Sequence, residues 1–289
     1  MPKFEEVVKG IYVLKAPFST LWTGVTLIRG DKNYLIDSGA DSPEVYLIPA
    51  LAELGLKMTD VDVLLNTHCH GDHITGHYEI ASKYGTKVAT YAGGVKALTD
   101  PASNAVRIRT KFPENSPPPQ SWLKGVTPDM VLENGEVLDG RLQVIATPGH
   151  DKDCVCWYDI PTKTLITGDS LQGNGTPSQG VGFYQSLADY EYTLRKLSTL
   201  NVENIILGHE YDGIGDFIIG KENVKAALEY CAEIPKRYEA RIASYMSEGL
   251  TDPVKIATRL IEEVGCGMPE KLFLALYTVT NHIERLTSK

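Results

Sequence analysis

The chain has no uninterrupted apolar run approaching the ~20 residues that a membrane helix needs, so no span is expected in its 289 residues. Its first residues, Met1 to Val8, lack an apolar core behind the positive charge of Lys3. They do not read as a secretory signal, and cytoplasmic residence is the default expectation. Cysteine is scarce, five in all with no framework spacing, which argues against a disulfide-stapled scaffold and leaves thiols. Cys154 and Cys156 stand two apart in a strand-like stretch and so share a face, a placement read as chance rather than as a metal or redox pair. Positive charge is also short: 28 Lys and Arg against 37 Asp and Glu leave a formal net charge of −9. Binding by phosphate neutralisation needs the opposite balance, so a nucleic-acid partner is not expected.

What is present is a globular composition, 43% hydrophobic and 22% charged, in a length that suits one large α/β domain with an add-on. From Gly10 to Asp37 short β-branched and apolar stretches broken by Gly24, Gly30 and Asn33 predict an antiparallel meander. Helical spacing over Ser42 to Leu56 predicts a helix capped by Ser42 and kinked at Pro49. Val61 to Leu65 then reads as a buried strand, and strand patterns return at Lys87 to Ala89, Leu142 to Thr147, Leu165 to Thr167 and Ile205 to Leu207. A helix is expected from about Leu187 to Leu200. The proline-rich stretch Phe112 to Gln120 is a stiff surface loop, open between a lid and a passive connection. After Gly220 the character changes to long amphipathic helices, broken near Gly249 to Pro253 and Gly265 to Pro269. This sets a catalytic part, 1–220, apart from a helical accessory segment, 221–289. The segment's open roles are shaping substrate access, a homodimer contact or covering the sheet.

A short echo links Leu35-Ile36-Asp37-Ser38-Gly39 with Leu165-Ile166-Thr167-Gly168-Asp169, and Leu64-Leu65-Asn66-Thr67-His68 with Ile206-Leu207-Gly208-His209. Each apolar strand ends in a carboxylate or an imidazole. Two similar halves packed sheet to sheet would deliver those groups to one shared edge.

The densest chemistry is His68-Cys69-His70-Gly71-Asp72-His73, three imidazoles and a carboxylate in six residues directly after a buried strand. In an extended chain His68 and His70 project to one side, and Gly71 lets the chain turn so that Asp72 and His73 reach a neighbouring point. Two adjacent metal positions are the natural product. His150, Asp169 and His209 each follow a glycine at an apparent strand end, where glycine permits the sharp turns that aim a side chain into a shared site. Desolvating so many imidazoles without partners is costly, and a metal removes that cost. Imidazole and carboxylate suit zinc, and also iron or manganese.

This set, His68-Cys69-His70-Gly71-Asp72-His73 followed by His150, Asp169 and His209, resembles the signature of the metallo-β-lactamase superfamily, including glyoxalase II-like metal-dependent hydrolases. The resemblance spans about residues 10 to 215 and implies a four-layer αββα sandwich. It implies that His68, His70 and His150 hold one metal, that Asp72, His73 and His209 hold the other, and that Asp169 bridges them. Asp37 matches the family's early aspartate, a supporting residue. Two divalent cations would acidify a bridging water, making hydroxide available near neutral pH as the nucleophile. Asp72 could also accept a proton. The expected function is hydrolysis of a small ester, thioester, lactone or related substrate, with zinc the first choice of metal.

Rival readings are a mononuclear-iron sulfur dioxygenase, a metal-dependent ribonuclease or phosphodiesterase, and a metal-binding scaffold. The stretch Leu171 to Tyr184 lacks the arginine motif of the first, and the acidic balance opposes the second. A true β-lactamase is disfavoured because many carry Cys where this chain has Asp169. His77 and His282 read as structural histidines, Trp22 is evenly balanced between site and core, and Phe183, Tyr184 and Tyr211 lean toward packing.

Overall fold

The computed structural model describes residues 1–176, 180–265 and 272–288. Strands β1 (Phe4–Val8), β2 (Ile11–Phe18), β3 (Leu21–Ile28), β4 (Tyr34–Ile36), β5 (Val63–Leu65), β6 (Lys87–Tyr91) and β7 (Met130–Leu132) form one sheet in chain order. The first four pair antiparallel, β2 to β4 forming the meander expected over Gly10 to Asp37 and β1 adding a strand before it; β4, β5, β6 and β7 pair parallel. A second sheet has the order β13-β12-β11-β10-β9-β8. Its members are β8 (Val137–Leu138), β9 (Leu142–Ala146), β10 (Val155–Asp159), β11 (Thr164–Gly168), β12 (Asn204–Tyr211) and β13 (Gly215–Ile219). The helices are α1 (Leu47–Glu53), α2 (Gly71–Ile74), α3 (His77–Glu79), α4 (Val95–Thr99), α5 (Pro101–Thr110), α6 (Leu187–Ser198), α7 (Lys221–Ser247), α8 (Pro253–Val264) and α9 (Leu272–Thr287).

Alternation along the strands builds the layers, because successive side chains point to opposite faces. In the first sheet Leu35 and Leu64 pack outward with Leu47 and Leu51 of α1. Their neighbours Ile36, Val63 and Leu65 face inward and meet Val144, Val155, Trp157, Ile166 and Ile206 of the second sheet. On that sheet's far side Leu165, Ile205 and Leu207 pack against Leu194 and Leu197 of α6 and Val224 and Leu228 of α7. The result is the expected four-layer αββα sandwich, with a further core formed by α7, α8 and α9 around Tyr238, Ile242, Leu260 and Leu276.

The sheets approach closely at Gly24, where a Cβ would lie 2.9 Å from the Leu207 carbonyl oxygen. A side chain there would push β3 off the strand that carries His209. Two cross-sheet bonds pin the loop after β5: Trp157 Nε1 donates to the Asn66 carbonyl at 2.9 Å, and the Val155 amide donates to the Thr67 carbonyl at 2.8 Å.

The expected helix over Ser42 to Leu56 is shorter than its periodicity suggested, beginning only at Leu47. Pro49 therefore falls in the first turn, where a missing N–H costs no intrahelical bond, and it does not kink the helix. Ser42 instead donates its hydroxyl to Glu79 at 2.8 Å. The α8 helix stops at Gly265, which has a left-handed φ of 75°; the remainder of the break expected to Pro269 lies outside the described residues. Among the described residues no helix is long and apolar enough to cross a membrane.

The last helix is tied to the second sheet's loops through His282, whose Nε2 lies 2.7 Å from the Tyr184 hydroxyl. Burial, with the Arg285 charge, pushes the His282 imidazole down to about 4 in spite of Glu239. The unfolded chain, with an ordinary histidine, binds more protons between pH 4 and 6.5, so this contribution to stability is lost as pH falls through that window. Urea unfolding at pH 7 and pH 4 should show the wild type losing up to roughly 3 kcal/mol more than His282→Gln. Equal losses in the two proteins would contradict this placement of the imidazole.

Candidate metal centre

Parallel pairing of β4 with β5 and of β11 with β12 brings their carboxyl ends to one edge of the sandwich, so each sheet delivers polar residues there. Asp37 follows β4, His68 comes three residues after β5, and Asp169 follows β11. His209 lies inside β12, beyond the stretch that pairs with β11, so it is not at the strand's end as its glycine suggested. His70 precedes α2, which carries Asp72 and His73, and His150 sits in the loop between β9 and β10. Gly149, with φ 145°, lies so close to α6 that a Cβ would meet the Tyr190 backbone at 2.6 Å.

All seven predicted residues converge. Ligand atoms lie within 4.8 Å of one another in three overlapping groups: His68, His70 and His150; His68, His73 and Asp169; and Asp72, His73 and His209. Asp169 stands between the outer groups. Its Oδ1 is 3.4 Å from His73 Nε2, and its Oδ2 is 3.4 Å from both His150 Nε2 and His209 Nε2. Asp72 Oδ2 is 3.2 Å from His209 Nε2 and 3.6 Å from His73 Nε2.

A partner holds the far side of each imidazole, which fixes the nitrogen it turns to the centre. His73 Nδ1 is 2.8 Å from Asp37 Oδ2, and the same carboxylate accepts from the Thr67 amide at 2.7 Å and the Thr67 hydroxyl at 2.8 Å. His209 Nδ1 lies 2.6 Å from the Trp22 carbonyl oxygen. His150 Nδ1 lies 3.0 Å from the Phe183 carbonyl oxygen. His70 Nε2 is 3.1 Å from Asp151, which is itself gripped by Arg107. Thr67 Oγ1 is 3.2 Å from His68 Nδ1.

The charges are arranged for a cation. Burial alone would push Asp72 and Asp169 up, but the imidazoles of His73 and His209 hold both below the usual carboxylate range. Burial alone would lower His209, yet Asp169 and Asp72 raise it to about 10. Burial dominates at His150, which is pushed down to about 4, and His68 is also held well below the usual imidazole range by burial and its imidazole neighbours. His68 Nε2 is buried without a hydrogen-bond partner, and His73 Nε2 and Asp169 Oδ1, also buried, have only each other at 3.4 Å. Buried polar atoms so poorly satisfied and converging on one point are costly in a protein interior, and a divalent cation with nitrogen and oxygen ligands satisfies them together. The donor set thus fits the expected metals.

The centre floors a cavity of about 300 Å³. Phe183 and Tyr211 are buried in core clusters, as the lean toward packing has it, and also border the cavity; Pro117 and Gln120 bring the proline loop into its wall. Tyr184 is core, stacked on Tyr190. Trp22 contributes its carbonyl, and its ring sits under Lys15. His77 is buried against Ser38 at 2.8 Å, in keeping with a structural histidine. Cys154 and Cys156 are buried free thiols; the sulfur of one accepts from the Asp151 amide and that of the other donates to Thr147 Oγ1. Cys266 lies outside the described residues. Sequence reasoning missed Asp151, Thr67 and Arg107; for Asp151, a carboxylate adjoining His150 was the available signal.

The family model of the metallo-beta-lactamase superfamily matches residues 23–209. A probable metallo-hydrolase of Methanocaldococcus jannaschii is 32% identical over 149 residues, covering 52% of this chain and 67% of that protein. A hydroxyacylglutathione hydrolase of Rhodopseudomonas palustris (strain BisA53) is 29% identical over 214 residues, 71% of this chain and 72% of that one. The crystal structure of a metallo-beta-lactamase family protein from Thermus thermophilus superposes with a TM-score of 0.73 at 23% identity, covering 98% of this chain and 94% of the other. The chain belongs to the metallo-beta-lactamase superfamily. Its enzyme class is that of a metallo-β-lactamase-fold hydrolase.

Asp37 has φ 64°, a left-handed conformation that asparagine tolerates, so Asp37→Asn keeps the backbone while removing the charge and one of the two acceptor oxygens shared by His73 and Thr67. Zinc affinity, read by competition with a chelating indicator, should fall about 10- to 100-fold. Unchanged affinity would show that Asp37 does not orient His73.

Proposed function

We propose that the chain hydrolyses a small ester or thioester at a dinuclear centre of two divalent cations, zinc first. In this reading His68, His70 and His150 would hold one ion, Asp72, His73 and His209 would hold the other, and Asp169 would serve both. The observation that carries it is the convergence of three ligand groups, with poorly satisfied buried atoms, on the floor of a small cavity. When bound, the ions supply Lewis acidity and lower the pKa of water toward neutrality.

The chain's own groups do the rest. Asp72 lines the cavity and is ionised, so it accepts the proton released by the attacking water. Phe183, Ile108 and Phe273 wall the cavity with apolar surface, which keeps bulk water from the acyl group. Tyr211 borders the cavity, and burial together with the Asp169 charge raises its pKa well above the usual value, so its hydroxyl keeps its proton and donates a hydrogen bond to Asp169, which holds that carboxylate in place. A thioester is favoured among the acyl substrates because relatives at 29% identity are named hydroxyacylglutathione hydrolases, and a thiolate leaves without a strong general acid. The reading also takes residues 1–220 as the catalytic part and 221–289 as its helical accessory, a small molecule as the partner, and the cytoplasm as the compartment, which the free thiols suit.

With a panel of small acyl thioesters and metal-replete protein, Asp72→Asn should lower kcat at least ~100-fold. Full activity in that variant would end the proposed chemistry.

A further inference from the structure

Two arginines stand two apart on α5 and are used differently. Arg107 is spent on structure: it donates to Asn104, to Gln185 at 2.7 Å and to Asp151. Arg109 faces the cavity beside Ile108, Asp72 and Phe273. Among the described residues it has no hydrogen bond and no ion pair; its one contact of note is with the ring of Phe273, 4.2 Å from guanidinium carbon to centroid. Stacking of this kind holds the guanidinium plane while leaving its edge N–H groups free.

A guanidinium in a cavity wall whose five donors meet no acceptor within hydrogen-bond distance among the described residues is unusual. The cavity lining contains no other Arg or Lys among the described residues. The same lining holds a second donor for which the described residues supply no hydrogen-bond partner. The side-chain amide of Gln120, reaching in from the proline loop, lies where a Cβ on Gly71 would meet it at 2.5 and 2.7 Å, and it too lines the cavity.

We infer that Arg109 binds a carboxylate carried on the acyl part of the substrate, so that the enzyme acts on half-esters or half-thioesters of short dicarboxylic acids. The inference rests on the hydrolase reading above and narrows it. A planar fork that offers paired N–H groups matches a carboxylate in two parallel bonds. A single positive charge balances a monoanion, which favours a carboxylate over a phosphate dianion. The apolar faces of Ile108, Phe183 and Phe273 accept the methylenes between the two ends, and a cavity of about 300 Å³, at the small end for ligand sites, limits that chain to a few carbons.

The test pairs a glutaric half-thioester with its methyl-capped neutral counterpart, using zinc-loaded wild type, Arg109→Met and Arg109→Lys. Wild type should prefer the anionic substrate by about 10- to 100-fold in kcat/KM. Methionine keeps the apolar stem against Phe273 and should abolish the preference, mostly through KM, while turnover of the neutral compound stays within about twofold; lysine should restore part of it. Calorimetry gives an answer independent of turnover. Glutarate should bind the methionine variant at least tenfold more weakly than wild type, whereas the neutral diamide of glutaric acid binds both alike. If neither thioester is hydrolysed, the hydrolase reading fails and the glutarate comparison still decides the role of Arg109. Equal glutarate binding by wild type and Arg109→Met overturns the inference, and so does tighter Arg109-dependent binding of a propylphosphonate.

Discussion

Everything near the site answers to one electrostatic constraint. Seven ionisable side chains are gathered where the strand ends of two sheets meet, most of them almost wholly removed from solvent. Their charges are mutually tolerable only as carboxylate against imidazole, and Asp169 is the hub because it touches imidazoles of both outer groups. Left to themselves these groups pull their protons in opposite directions, with His209 raised and His150 lowered. A metal site needs neutral imidazoles and ionised carboxylates throughout, a state that divalent cations stabilise and that protons alone do not.

The fold is arranged to hold that cluster still. Parallel pairing sets the depth of Asp37 against His68 and of Asp169 against His209, the small size of Gly24 lets the sheets close, and Trp157 and Val155 clamp the loop of the first sheet from the second. Around the seven converging residues, Asp37, Asp151, Thr67 and the carbonyl oxygens of Trp22 and Phe183 each face an imidazole nitrogen turned away from the cluster. The cavity wall comes from elsewhere, from α5, the proline loop and α9. The rigid part of the molecule thus supplies the reactive groups, and the connections and accessory helices shape what reaches them.

Much of this was legible in the residues. Strand ends announce themselves by apolar runs that stop at a polar residue, which is why His68 and Asp169 could be located and why the echo between the halves anticipated two sheets sharing an edge. Helix boundaries were less legible. Apolar spacing around Ser42 continues through a turn, and only tertiary packing of Leu47 and Leu51 decides where the helix begins. The supporting shell was mostly hidden, because a backbone carbonyl such as that of Trp22 has no side-chain signature, and Arg107 and Asp151 meet across 44 residues of chain. Arg109 carries no motif at all. Its significance is the lack of a hydrogen-bond or ion-pair partner among the described residues, which only the assembled cavity reveals.

The central claim is that the seven residues form a dinuclear metal centre, and elemental analysis of the purified protein for zinc, iron and manganese tests it most directly. About two zinc ions per chain, falling together when His68 or Asp169 is replaced by alanine, is the result expected of this donor set. One iron per chain, or no bound metal in a folded protein that still turns over thioesters, would contradict the account.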